Sequence, residues 1–125
     1  MATQNPTLLG GLKAGIDLRT KQYHAVKMSA ADTVVACTGV TDKPIGILQN
    51  NPNLNEEASI AVGGTSKFVA GGVVTNGTNV GTKADGRAQT AVATQFPVGT
   101  VVGDTTANDG EVTTVAVRIA TVPLP

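Results

Sequence analysis

Turn-forming residue pairs recur along the chain at short intervals, and this rhythm limits the fold more than any other feature. Gly63-Gly64, Asn76-Gly77, Asp85-Gly86 and Asp109-Gly110 each supply backbone that reaches the left-handed region at low cost. Between such signals stand short runs rich in Val, Ile, Thr and Ala. A turn every 8–12 residues or so is the rhythm of β-sandwiches and barrels. No window of about ten residues or more carries an apolar stripe at helical spacing. The expected fold is all-β: a small β-barrel or β-sandwich-like domain with an extended N-terminal arm.

The arm is placed at residues 1–14 and the β domain at 15–125. Asn5-Pro6 favours an extended or turn backbone. Leu8, Leu9 and Leu12 are the strongly apolar residues of this stretch, and Gly10-Gly11 interrupts them. Such a segment lies across a partner or adds itself to a sheet edge, gaining main-chain hydrogen bonds. Strands are expected at Gln22–Met28, Thr33–Ala36, Pro44–Leu48 and Ala58–Val62, the last with Ala58, Ile60 and Val62 on one face. Gly63-Gly64 is expected to turn a hairpin into Lys67–Ala70. Further strands are expected around Gly72–Thr75, Asn79–Thr82, Val98–Val102 and Val112–Ile119, with Val115, Val117 and Ile119 sharing a face. Arg87–Phe96 suits either a strand or a short helical turn. Pro123 ends any regular ladder.

A chain of 125 residues fits one domain. Its aromatic residues are Tyr23, Phe68 and Phe96, so burial rests on Val, Ile, Leu and Ala. A core this thin makes oligomerisation a plausible source of extra burial. Nine basic and nine acidic residues cancel, and the charged fraction of 14% is well below the usual level of about 25%. A basic patch, the usual footprint of a nucleic-acid or anionic-membrane partner, is missing. No apolar run approaches the roughly 18 residues that span a bilayer. Met1–Pro6 has neither a charged n-region nor a long apolar run, and is not expected to be a signal peptide.

Each candidate for chemistry fails on context. Cys37 is the single cysteine, so an intrachain disulfide is impossible, and nothing in the sequence puts a base beside it. His24, the single histidine, would share a strand face with Val26 and Met28, where a packed role outweighs a general base. One His and one Cys make no zinc pattern, and no calcium loop occurs. Gly77–Lys83 has the wrong spacing for a phosphate-binding loop. Glu56-Glu57 lies in a polar loop, and Ser29, Ser59 and Ser66 lack a nucleophile elbow. The Asn76-Gly77-Thr78 sequon reads as a turn. The expectation is a structural or binding protein, not an enzyme, with no catalytic residue, cofactor or metal. What stands out is a surface of Thr, Ala and Gly with few long charged side chains. It suits either a plain β surface or a tightly assembling one.

Several stretches then resemble a known family in order. They are Thr38–Asn50 (TGVTDKPIGILQN), Ala61–Val74 (AVGGTSKFVAGGVV) and Val80–Ala88 (VGTKADGRA), followed by Val98–Val102 and Val112–Val117. Together these resemble the small capsid decoration proteins of tailed bacteriophages, also called cement or head-stabilisation proteins, over about residues 15–119. The resemblance implies a compact β-barrel-like domain that forms a homotrimer on the outer surface of the expanded capsid. Its partners would be the major capsid protein and itself, with no direct nucleic acid and no membrane. It brings no catalytic residue. By analogy with the N-terminal arms of such proteins, Thr3, Asn5, Pro6, Leu8, Leu9 and Leu12 are the expected capsid contacts. The alternative is another phage β module, fibre- or tail-associated, that binds a receptor or carbohydrate. A chain with three aromatics is poorly equipped for sugar platforms.

Overall fold

A computed structural model describes residues 4–103, 106–120 and 123–124. Among them eleven strands occur and no helix. The strands are β1 (Asn5–Ala14), β2 (Ala25–Ala30), β3 (Thr33–Ala36), β4 (Gly46–Leu48), β5 (Glu57–Val69), β6 (Val74–Thr75), β7 (Asn79–Thr82), β8 (Ala88–Thr90), β9 (Gly99–Val101), β10 (Thr106–Ala107) and β11 (Val112–Val117). The all-β expectation holds.

Nine strands form one sheet in the order β1-β3-β2-β4-β5-β11-β9-β7-β8, and β10 pairs with β6 separately. Strand β1 also pairs with β5, so β1, β3, β2, β4 and β5 close a ring. A parallel bridge between Ala70 and Ala88, with Gly71 N–H donating to the Ala88 carbonyl, ties β8 back to the chain just past β5. The second group of strands thereby closes as well, and β5 belongs to both.

Each ring has its own core. The first encloses Ala14, Leu18, Val26, Val34, Ala36, Leu48, Ala58 and Ile60, with Val62 packed against them. The expected face of Ala58, Ile60 and Val62 is therefore the inward one. The second and larger core holds Phe68, Ala70, Val74, Val80, Val98, Val101, Val115 and Val117, with Ile119 against it. The shared face of Val115, Val117 and Ile119 is confirmed.

Strand β5 serves both cores by changing phase. Ile60 faces the first core and Ala61 the second, yet Phe68 and Ala70 also face the second. The reason is a bulge: Ala61 pairs with Leu8 and Gly63 with Thr7, which leaves Val62 as an extra residue. One extra residue inverts a period-2 alternation.

The expected hairpin at Gly63-Gly64 does not form. Both glycines lie inside the 13-residue β5. Gly64 takes φ +70, but it uses that freedom to admit the backbone of β1, and the chain continues straight on. The strand expected from Gln22 starts instead at Ala25. Tyr23 is at φ 63, with its N–H donating to the Leu48 carbonyl and its carbonyl accepting from Val69, so it bridges β4 and β5. His24 thus precedes β2 and does not stand in one strand with Val26 and Met28. Asn76-Gly77 does turn, but into β7 from a β6 that pairs with β10. Arg87–Phe96 resolves into β8 followed by a turn closed on the buried Gln95.

Candidate interaction surface

The residues that the sequence singled out for chemistry lie apart and are engaged in local contacts. Cys37 is buried beyond β3, and burial pushes its thiol up to about 12, far from a thiolate at neutral pH. Burial lowers the pKa of His24, whose Nδ1 lies 3.0 Å from the Gln22 carbonyl oxygen. Glu56 and Glu57 do not act as a pair. The Glu56 carboxylate accepts the Asn53 N–H at 2.6 Å, and Glu57 accepts the Gly11 N–H at 3.3 Å. Ser66 is buried, accepting from Gln49 Nε2 at 2.8 Å and donating to the Lys67 carbonyl. Lys83, the end of the glycine-bracketed segment, donates to the Gly71 carbonyl at 2.6 Å. Among the described residues no three His, Cys, Asp or Glu side chains gather into a metal site.

The charged groups that sequence reasoning passed over fasten loops. Asp42 pairs with Lys27 at 2.9 Å and accepts the N–H groups of Thr38 and Gly39 at 2.8 and 2.9 Å. Burial alone would raise its pKa, but the Lys27 ammonium and the two amides outweigh that, and the carboxyl sits below its usual value. Arg87 joins Asp85 and Asp109, each at 2.7 Å, and so couples two of the turns visible in the sequence.

One surface with unmet apolar character is β1, where two exposed leucines are adjacent in sequence. Asn5–Ala14, the larger part of the expected arm, lies antiparallel along β5 from Thr65 to Glu57 and meets β3 at Lys13 and Ala14. Of the expected contact residues, Asn5 is exposed and donates its N–H to Thr65 Oγ1 at 2.9 Å; Pro6 is half-buried. Leu8 and Leu9 are 56% and 40% exposed, although consecutive strand residues point to opposite faces. Leu12 turns inward and packs against the first core. Thr3 lies outside the described residues. The structure therefore gathers Leu8 and Leu9 on one uncovered stretch and separates Leu12 from them.

Beside this stretch the strand bulges at Gly10-Gly11 and an open recess of about 420 Å³ forms, lined by Gly11, Leu12, Lys13, Ala31, Asp32, Asn55 and Glu57. Gly11, Asp32 and Asn55 all have left-handed backbone, at φ 88, 54 and 68. The β1 bulge, the β2–β3 turn and the loop before β5 meet there. Only the glycine at 11 announces any of this in the sequence, because the other two are ordinary loop residues until the fold brings them together.

No protein-family model and no curated protein matches the chain. Among solved structures, the head fiber gp8.5 N base of bacteriophage phi29 is similar, with a TM-score of 0.69 at 14% identity. The alignment covers 91% of this chain and 97% of that one, so the two share a fold across nearly their whole lengths.

Proposed function

We propose that the protein is a structural component of a tailed-phage virion, seated as a homotrimer on the outer surface of the expanded capsid. There it holds neighbouring major capsid subunits together against internal DNA pressure. The observation that carries this is the end-to-end likeness to the base of the phi29 head fiber, a component of a phage head. It agrees in kind with the ordered decoration-protein resemblance of residues 15–119. Leu8 and Leu9, with Asn5 and Pro6 beside them, are the proposed capsid contacts, and Thr3 belongs to the same segment. A trimer touching several subunits gains by multivalency, and binding confined to the expanded shell shifts the shell's equilibrium toward that state. The near-neutral surface puts the affinity in shape and strand contact more than in charge steering.

The test is to measure the protein's mass by light scattering, then mix it with expanded empty capsids of the phage that carries its gene. A trimer that co-sediments with capsids is expected. A strict monomer that never co-sediments would sink the proposal.

A second function is favoured by the same neighbour being a fiber base: the domain anchors a fibre to the head. In that case capsid binding occurs at few positions per particle, and occupancy measured by quantitative gel separates the two.

A further inference from the structure

The N-terminal half of β1 lies at an edge of the sheet. Asn5–Leu9 pairs with β5 alone, while β3 takes only Lys13 and Ala14. Neither face of the segment is covered, as the exposure of both Leu8 and Leu9 shows. Leu12 and Ala14, by contrast, are held in the first core. Between the two halves lies Gly10-Gly11, where the register breaks; a Cβ on Gly11 would have no heavy atom within 4 Å. Gly11, in open space at φ +88 beside a register break and held there by one side-chain contact to Glu57, is the hinge.

The acceptor edge survives without its strand. β4 and β11 hold β5 from the side opposite β1: Ile60 and Ala61 pair with both β1 and β4, and Thr65 with both β1 and β11. The edge is also bare where β1 crosses it, at Gly63 and Gly64. Every copy of this chain offers the same edge in the same register. Trading the segment between copies therefore keeps every ladder contact and re-routes only the hinge, the condition under which strand exchange is cheap.

We propose that Asn5–Leu9 is exchanged between copies of this chain. In the oligomer it swings about Gly10-Gly11 and pairs with β5 of a neighbouring copy, so that each copy completes the next one's sheet. This rests on the homo-oligomer proposed above. It uses a segment whose ladder partner is β5 alone, an edge that every copy presents, and it leaves Leu8 and Leu9 free to meet the capsid.

Thr7 and Gly63 are ladder partners, and a Cβ on Gly63 would stand 3.5 Å from the Thr7 Cβ. That is within the span of a disulfide, about 3.5–4.5 Å. A Thr7→Cys chain and a separate Gly63→Cys chain, one carrying a mass tag, are refolded together and oxidised. The expected product on a non-reducing gel is a covalent pair with one chain of each kind, in excess over like-with-like pairs. Wild-type chain, whose buried Cys37 stays out of reach, is the control. An oligomer by light scattering that yields no mixed pair overturns the exchange and leaves the oligomer standing, whereas a monomer overturns both. Should either variant fail to refold, Asn5→Cys with Thr65→Cys, also ladder partners, gives the same readout.

Discussion

Asn5 and Gly64 meet backbone to backbone across the β1–β5 ladder: Gly64 adopts φ +70, and a Cβ there would stand against the Asn5 carbonyl oxygen. Gly64→Ala meets a conformational cost of about 1–2 kcal/mol and a steric one besides. The expected outcome is loss of β1 pairing before loss of the fold. Amide hydrogen exchange checks it, with faster exchange along β1 and β4–β5 protection retained.

Leu8→Ser with Leu9→Ser should leave stability within about 0.5 kcal/mol, since both side chains are exposed. Capsid co-sedimentation should fall sharply. Leu12→Ser is the contrast, because its side chain packs inward and the thermal midpoint should drop. Deleting residues 1–14 is a poorer test, since it removes the strand that closes the first ring.

Phe68 is the largest fully buried side chain and sits in the second core. Phe68→Ala should cost about 3–5 kcal/mol, a large share of a small domain's stability. Denaturant titration measures it. An effect below about 1 kcal/mol would mean that the second core is not packed as described.

Asp42 titrates below its usual value of 3.8 in the folded chain. A depressed carboxyl stabilises the fold above the unfolded pKa, and that contribution is lost as pH falls through the folded pKa. Stability should therefore decline on acidification below about pH 4. Lys27→Met should move the Asp42 titration upward, followed by NMR, and make this acid-side decline smaller.

Cys37 is fully buried with its thiol raised to about 12. A thiol reagent at neutral pH should react only as the domain unfolds. The rate of modification should follow denaturant concentration in step with the loss of structure. Rapid labelling of native protein would contradict the burial.

Local chemistry was enough for some elements. Thr33–Ala36 is a strand as expected, and the strand expected over Val112–Ile119 runs from Val112 to Val117, because runs rich in β-branched residues fit an extended, half-buried backbone. Asp85-Gly86 turns where expected, with Gly86 at φ 86 joining β7 to β8. Gly63-Gly64 shows the opposite case. The pair announces conformational freedom, but freedom serves a hairpin and a close crossing equally well, and β1, more than fifty residues upstream, decided between them. Tyr23 left its predicted strand for a similar reason: its backbone found partners in β4 and β5.

The sequence by itself determined the class of the molecule: all-β, punctuated by turns, with an aliphatic core, no net charge and one cysteine with no base assigned to it. Those properties follow from residue types and from periodicity over a few positions. Only the tertiary structure decided that Asn5–Ala14 forms a ring-closing strand, that one bulge at Val62 inverts the alternation of β5 between its two cores, and that Leu8 and Leu9 remain uncovered while Leu12 does not. Burial and register depend on which distant strand supplies the neighbouring edge, and that choice is made by the whole sheet together.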